Sequence, residues 1–429
     1  MQQTASMADA ASPVGPKGFC PRKIQAFLAI YALALVGANA GHAEPKRPWF
    51  KQHFITRSMP SSVDWGYGTP ALADFDRDGD LDFAFGVRGD SIHWFEFESA
   101  DVWKRRRLGQ SQLSNLGAAS MDVDGDGWTD LVTGGYWYRN PQAPREKPFT
   151  EHLYDPTIDK PIHDLVVADI DRDGRDDVVV LGDGVGCFWY SIPAGQEKSR
   201  WQRMTITQSV LTTRDSIHSG FSPKGIADLD ADGDVDIVLP DRWLENQQQG
   251  REWRPHSLPF GKRGPWGLSS HSWIVDLDRD GDNDIVTVDS DQQQSRAAWL
   301  ESDGQKPPSF TRHWLPSTAA GERGSFHSLA VADFDGDGDD DIFTAEQEDA
   351  TILPKGAPPR WYIWENVDGR GTKFVERVVF DGRLGGHDVI VGDVDNDGDL
   401  DICTKIWKRW AGNGNSGREH ASFLENLSR

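Results

Sequence analysis

Short apolar runs bounded by glycine, proline and aspartate recur along the chain from about residue 48 onward. Leu165-Val166-Val167-Ala168 and Val178-Val179-Val180-Leu181 are one such pair, separated by the acidic stretch Asp169–Asp177. Runs this short, with turn residues at both ends, predict β-strands. The 44 Gly and 24 Pro are spread between the runs and do not pool in one tract, so many turns are expected and a helical bundle is excluded.

The acidic stretch has the form D-x-D-x-D-G-x-x-D and occurs seven times, with first aspartates at 74, 122, 169, 228, 276, 333 and 393. The spacings of 48, 47, 59, 48, 57 and 60 residues suit one propeller blade per repeat. Each repeat then carries a third strand with an aromatic or apolar signature, such as Trp243-Leu244-Glu245-Asn246 or Phe423-Leu424-Glu425-Asn426. A fourth strand often reads aromatic-x-x-His, as in Trp253 to His256 and Phe310 to His313, and these histidines read as blade packing. The last repeat stops after its third strand. Phe50-Lys51-Gln52-His53 matches the fourth-strand pattern, so residues 48–57 are expected to complete the seventh blade. The predicted fold is an all-β, seven-bladed β-propeller over residues 44–429, closed by this N-terminal strand so that few strand edges remain open.

Four carboxylates within nine residues imply a hard cation with oxygen ligands. The candidate calcium ligands are Asp74, Asp76, Asp78 and Asp82 in the first loop, and Asp122, Asp124, Asp126 and Asp130 in the second. Asp169, Asp171, Asp173 and Asp177 follow in the third, and Asp228, Asp230, Asp232 and Asp236 in the fourth. The last three loops offer Asp276, Asp278, Asp280 and Asp284, then Asp333, Asp335, Asp337 and Asp341, then Asp393, Asp395, Asp397 and Asp401. Position 6 is always glycine, for the sharp turn. Position 7 varies, as expected of a residue that would contribute only its carbonyl. Position 2 is always apolar (Phe75, Val123, Ile170, Leu229, Leu277, Phe334, Val394) and is expected to pack inward. An EF-hand is excluded, because the flanks are strands and no glutamate stands at position 12.

Residues 1–43 differ from the rest. Lys17, Arg22 and Lys23 precede an apolar stretch from Phe27 to Ala38, and small residues follow around Ala40 and Ala43. This reads as a signal peptide, with a mature chain that is periplasmic or secreted and has no membrane span. The net charge is −23, from 68 acidic and 45 basic residues, which disfavours nucleic acid as a partner. Cys187 and Cys403 would be the cysteines left after cleavage, each in a strand-like run of a distant repeat. No disulfide is therefore expected, and calcium, up to seven ions, is expected to rigidify the fold instead.

These loops resemble the FG-GAP and VCBS repeat families, including the seven-bladed propeller at the head of integrin α subunits, over residues 48–429. The resemblance implies fold and metal; such propellers serve adhesion, ligand binding and catalysis alike. The whole-blade pattern also looks like the propeller domain of aldos-2-ulose dehydratase, whose cupin domains this chain lacks. That likeness implies elimination of water from keto sugars.

The loops leading into each first strand should lie on the face opposite the acidic loops. His163, His327 and His387 each precede their first aspartate by six residues and His271 precedes its own by five, with Tyr67 and Lys224 nearby. These six are the candidate catalytic residues, His and Tyr for proton transfer. Clustered imidazoles there could also hold an additional divalent metal at the channel mouth. The longest insertions, 208–224, 260–270, 317–326, 347–360 and 407–421, should reach the same face. Arg214, Lys262, Arg263, Trp266, Arg323, Arg383, Lys405, Lys408, Arg409 and Trp410 would give it a basic and aromatic surface. Such a surface suits a glycan, above all an anionic one, although solvated loop charges would look the same in sequence. Two functions follow: a monomeric binder of a glycan or protein ligand, or a carbohydrate lyase or dehydratase acting by β-elimination. Arg88-Gly89-Asp90 reads as a turn. There is no G-x-S-x-G and no P-loop.

Overall fold

The computed structural model describes residues 49–60, 66–182, 184–192, 194–195, 200–207, 216–317, 324–348 and 358–428. The expected leader at 1–43 lies outside them, as do 208–215, 318–323 and 349–357 of the insertions, with Arg214 and Arg323. Among the described residues no helix is long and apolar enough to cross a membrane.

The strands form antiparallel meanders, each a sheet of its own. Blade 1 comprises Tyr67–Ala73, Asp82–Val87, Ser91–Ser99 and Val102–Gln110, and blade 2 Ala118–Met121, Asp130–Thr133, Tyr136–Arg139 and Thr150–Leu153. Blade 3 follows as Ile162–Ala168, Asp177–Gly182, Gly186–Ser191 and Gln202–Thr207, and blade 4 as Ile226–Ala227, Asp236–Leu239, Arg242–Gln247 and Glu252–Ser257. Blade 5 is built on Gly267–Val275, Asp284–Asp289, Ala297–Ser302 and Phe310–Trp314. Blade 6 is Ala330–Ala332, Asp341–Ala345, Trp361–Asn366 and Phe374–Phe380, and blade 7 is His387–Gly392, Asp401–Lys405 and Ala421–Asn426. Phe50–Thr56 supplies the fourth strand of blade 7, pairing antiparallel with Ala421–Asn426 in the register Phe50 to Asn426.

Among the described residues six of these sheets have the four strands that the repeat predicts. Blade 5 departs from it, with seven strands. Ile217–Ser219 and Pro223–Lys224, which lead into blade 4, pair in parallel with the long first strand of blade 5. Arg263–Gly264 adds a short hairpin to the same strand. Between the two parallel pieces the amides of Gly220, Phe221 and Ser222 all donate to one oxygen of Asp164 in blade 3, at 2.7, 2.9 and 3.2 Å. The lead into blade 4 is accordingly in short pieces, Ile217–Ser219, Pro223–Lys224 and Ile226–Ala227.

The apolar core lies between blades. One cluster joins blades 2 and 3 through Val132, Trp137, Val178 and Val180, and another joins blades 7 and 1 through Phe423, Cys403, Phe83 and Phe85. All seven position-2 residues are buried, none more than 3% exposed. The third-strand asparagine clips neighbours together: Asn140 Nδ2 donates to the carbonyl of Phe75, Asn246 to Ile170 and Asn426 to Phe334, each in the preceding blade. The fourth-strand histidines stack on third-strand tryptophans, His152 on Trp137, His256 on Trp243 and His313 on Trp299, with ring centroids 4.3–4.7 Å apart. His256 and His313 also bond the neighbouring Glu245 and Glu301. Cys187 and Cys403 are buried and free.

Candidate functional site

The acidic loops share one backbone form. Position 6 is a left-handed glycine in all seven, and position 4 is left-handed as well, with φ between 55° and 75°, although only Gly125 and Gly336 of its residues are glycine. The first aspartate organises each turn from within; Asp169, for example, accepts the amides of Asp173 and Gly174 at 3.1 and 2.9 Å. The ninth aspartate is buried and fastens the loop to the sheet: Asp236 takes the amides of Leu229 and Asn246 at 2.9 and 2.8 Å.

These residues fit a calcium ion. Burial, ahead of any other cause, pushes the ninth carboxyls up, Asp130 and Asp284 to about 7, Asp177, Asp236, Asp341 and Asp401 to about 8 and Asp82 to about 9. A bound cation is what would hold them ionised. Buried oxygens Asp171 Oδ1 and Asp395 Oδ1 have no hydrogen-bond partner, and Asp169, Asp171 and Asp177 offer ligand atoms within 4.8 Å of one another. The first two loops differ, because Arg145 lies on Asp76 at 2.8 Å and Arg139 on Asp126 at 2.7 Å.

At the opposite ends of the first strands the four predicted histidines converge. The His327 and His387 rings stack with centroids 3.7 Å apart, His271 lies 4.9 Å from His327, and His163 lies 5.7 Å from it. His163, His271 and His387 line a channel cavity of about 280 Å³ whose walls include Ala71, Leu72, Gly117, Ala118 and Val389. His271, His327 and His387 are buried, whereas the His163 ring keeps 7% of its surface exposed.

Carboxylates alternate with the imidazoles. Asp164 holds His163 Nδ1 at 3.0 Å, Asp291 lies 3.4 Å from His327 Nε2, and Asp388 is bonded by Lys405 Nζ at 2.5 Å. Burial alone would lower the His327 imidazole, but Asp291 and Asp388 raise it above its ordinary value. Burial and the neighbouring His327 lower His271, to about 4, and push His387 well below the usual imidazole range. Burial would raise the Asp388 carboxyl, yet Lys405, His387 and His327 hold it far below the usual range. The site thus gathers imidazoles shifted in opposite directions and carboxylates held low in one largely buried cluster. Such a set can bind oxygen-rich ligands, transfer protons or hold a metal.

Several residues in the cluster are absent from the sequence reading. His218 packs 4.3 Å from His163, and Asp164, Asp291 and Asp388 complete the electrostatics. A signal existed for two of them, since His163-Asp164 and His387-Asp388 repeat the same dipeptide at the same blade position. Asp291 comes from the loop after the second strand of blade 5, where nothing local marks it.

Two predicted residues lie elsewhere. Tyr67 is buried against Phe85 between blades 7 and 1, and its hydroxyl donates to the carbonyl of Pro60. Lys224 places its ammonium over the Trp273 ring at 5.2 Å and in reach of Asp340, toward the acidic loops. The basic surface also changes: Lys405 is fully buried beside Asp388, and Trp410 packs on the core. Arg263, Arg383, Lys408 and Arg409 are exposed, as is Trp266 at 60%.

The FG-GAP-like repeat family model matches residues 122–180, 276–344 and 349–404. No curated protein matches the sequence. Among solved structures the chain is similar to an Agrocybe aegerita lectin described as recognising non-reducing terminal N-acetylglucosamine, at 15% identity and a TM-score of 0.52 over 85% of this chain and 87% of that one. It is similar to BBS1N in complex with ARL6DN, at 7% identity and a TM-score of 0.51 over 89% and 98% of the two chains. The BP39L lectin of Burkholderia pseudomallei matches at 15% identity and 0.49, over 79% and 92%. At these identities the likeness is one of fold. The chain folds as a β-propeller, and over those three stretches its repeats are similar to the FG-GAP-like family.

Proposed function

We propose that this protein is an exported, calcium-stabilised propeller that binds a glycan at the histidine-bearing mouth of its channel, on the face opposite the acidic loops. The observation that carries this reading is the convergence of His163, His271, His327 and His387 with three carboxylates at one end of the channel. Trp266 supports it. This exposed ring sits in the hairpin between Arg263–Gly264 and the blade 5 strand that carries His271, where a sugar could stack on it beside a guanidinium. Calcium holds the loops, most firmly in the third to seventh, where among the described residues no arginine pairs with a ligand aspartate as Arg145 and Arg139 do in the first two, Arg172 reaching only the position-7 Asp234. The leader read at residues 1–43 supports a periplasmic or secreted location.

A glycan array probed with the mature protein in calcium tests the reading. Saturable binding that weakens about tenfold in Trp266→Ala would support it. No binding across a broad array would overturn the glycan assignment and leave a protein ligand.

The 3.7 Å stacking of His327 and His387 favours a second reading, β-elimination on a sugar, in which one imidazole removes a proton and another group protonates the leaving oxygen. Ultraviolet absorbance with uronate-containing glycans and keto sugars tests it. A conjugated double bond that forms with time and is lost in His387→Ala would establish it, and silence would remove it.

A further inference from the structure

We propose that the channel mouth holds a zinc-type divalent transition metal, ligated by His163, His327 and Asp291 with His218 as the fourth side chain. The proposal concerns the apo protein and does not depend on which ligand the face binds.

Three observations carry it. His163, Asp291 and His327 offer ligand atoms that lie within 4.8 Å of one another. His218 Nε2 adds a fourth atom 3.8 Å from Asp291 Oδ2. Two or three imidazoles and one carboxylate are a donor set for zinc and its neighbours, and the hard oxygen shell of the calcium loops is a different one.

The surroundings are those of a built site. His163 Nδ1 is engaged by Asp164, which leaves Nε2 for a metal, and Asp164 is itself fixed by three backbone amides from 220–222. Such carboxylate support of a ligand imidazole orients the ring and sharpens its basicity. Asp291 stands in a left-handed conformation, φ 55°, that costs energy for a non-glycine residue, and Ser269 Oγ and Gln347 Nε2 steady its two oxygens at 2.7 and 3.4 Å. Beside this set, His271 Nε2, His327 Nδ1 and His387 Nδ1 are buried nitrogens without a hydrogen-bond partner. Orphaned buried nitrogens cost stability unless something binds there.

Cobalt(II) is the probe, added to metal-stripped full-length mature protein in a large excess of calcium so that the acidic loops are filled. The expected result is one equivalent with the intense visible absorption of a four-coordinate site, displaced by zinc. His163→Ala and Asp291→Asn should each weaken binding at least about tenfold while the melting temperature in calcium shows that the ring is folded. If burial makes Asp291→Asn fail to fold, His163→Ala, at a ring less enclosed than that of His327, carries the test. The absence of the visible band in the wild type would overturn the site. So would a band that survives in His163→Ala, or cobalt that calcium alone displaces. Glycan binding measured on the same variants fails or survives separately, so the two assignments stand or fall apart.

Discussion

His327 and His387 come from neighbouring blades, yet their rings lie face to face with centroids 3.7 Å apart. The buried Nδ1 of His387 has no hydrogen-bond partner. Folding gains little from that nitrogen, so His387→Phe, which keeps the stack and removes the orphan, should leave the melting temperature unchanged or raise stability by about 1 kcal/mol. Ligand binding or elimination at the mouth should be lost in the same variant. Calorimetry and the array decide this together, and a strongly destabilised variant with binding intact would contradict the functional role.

Chelation should lower the melting temperature sharply. Each loop saturated at a hundred times its Kd adds about 2.7 kcal/mol, so several loops together outweigh the stability of an ordinary domain. Differential scanning calorimetry with calcium and with a chelator makes the comparison, and coincident melts would sink the calcium assignment.

The inter-blade asparagines are expected to matter more than their polarity suggests. Asn246→Ala removes the bond to Ile170 and leaves the amide of Gly250, now held at 2.6 Å, without its acceptor in a buried place. A loss of about 2–3 kcal/mol is expected from urea unfolding in calcium. A loss below about half a kcal/mol would mean that solvent replaces both bonds.

Glu348 gives the fold a pH dependence of its own. Burial first of all pushes its carboxyl up to about 7, although it accepts the amide of Lys408 at 2.7 Å. With the folded value above the unfolded one, the fold is favoured while Glu348 is protonated. Stability therefore falls as pH rises from the ordinary glutamate range toward 7 and levels off above it. Glu348→Gln lacks this term. Its melting temperature should gain on the wild type by at least about 2 °C between pH 4.5 and 7.5, and a constant difference would show that the carboxylate is ionised in place.

The strand-loop-strand unit was legible because the loop chemistry fixes its residues one by one. Position 2 had to be apolar because it plugs the space between blades, and position 6 had to be glycine. Position 4 is equally left-handed, but arginine, alanine and asparagine reach that conformation there, so composition hides it. The candidate histidines were legible by their common offset from the loops. Asp291 and His218 were not, because they arrive from a second-strand loop and an insertion whose course depends on Asp164. Lys405 read as surface charge because its partner, Asp388, is adjacent only across the sheet. Tyr67 stood close to that offset, seven residues before Asp74, but its ring turns into the core between blades 7 and 1.

The pairing of Phe50–Thr56 with Ala421–Asn426 joins the two ends of the described chain, and His53 reaches Glu425 across 372 positions of sequence. Every other blade can form from residues that are close in sequence. The last sheet cannot, so its closure carries the loop entropy of the whole ring and makes the earliest-made strand wait for the latest-made one. Until that meeting, blade 7 shows a bare edge to its neighbours in solution, and the protein is at its most vulnerable to association just before it is complete.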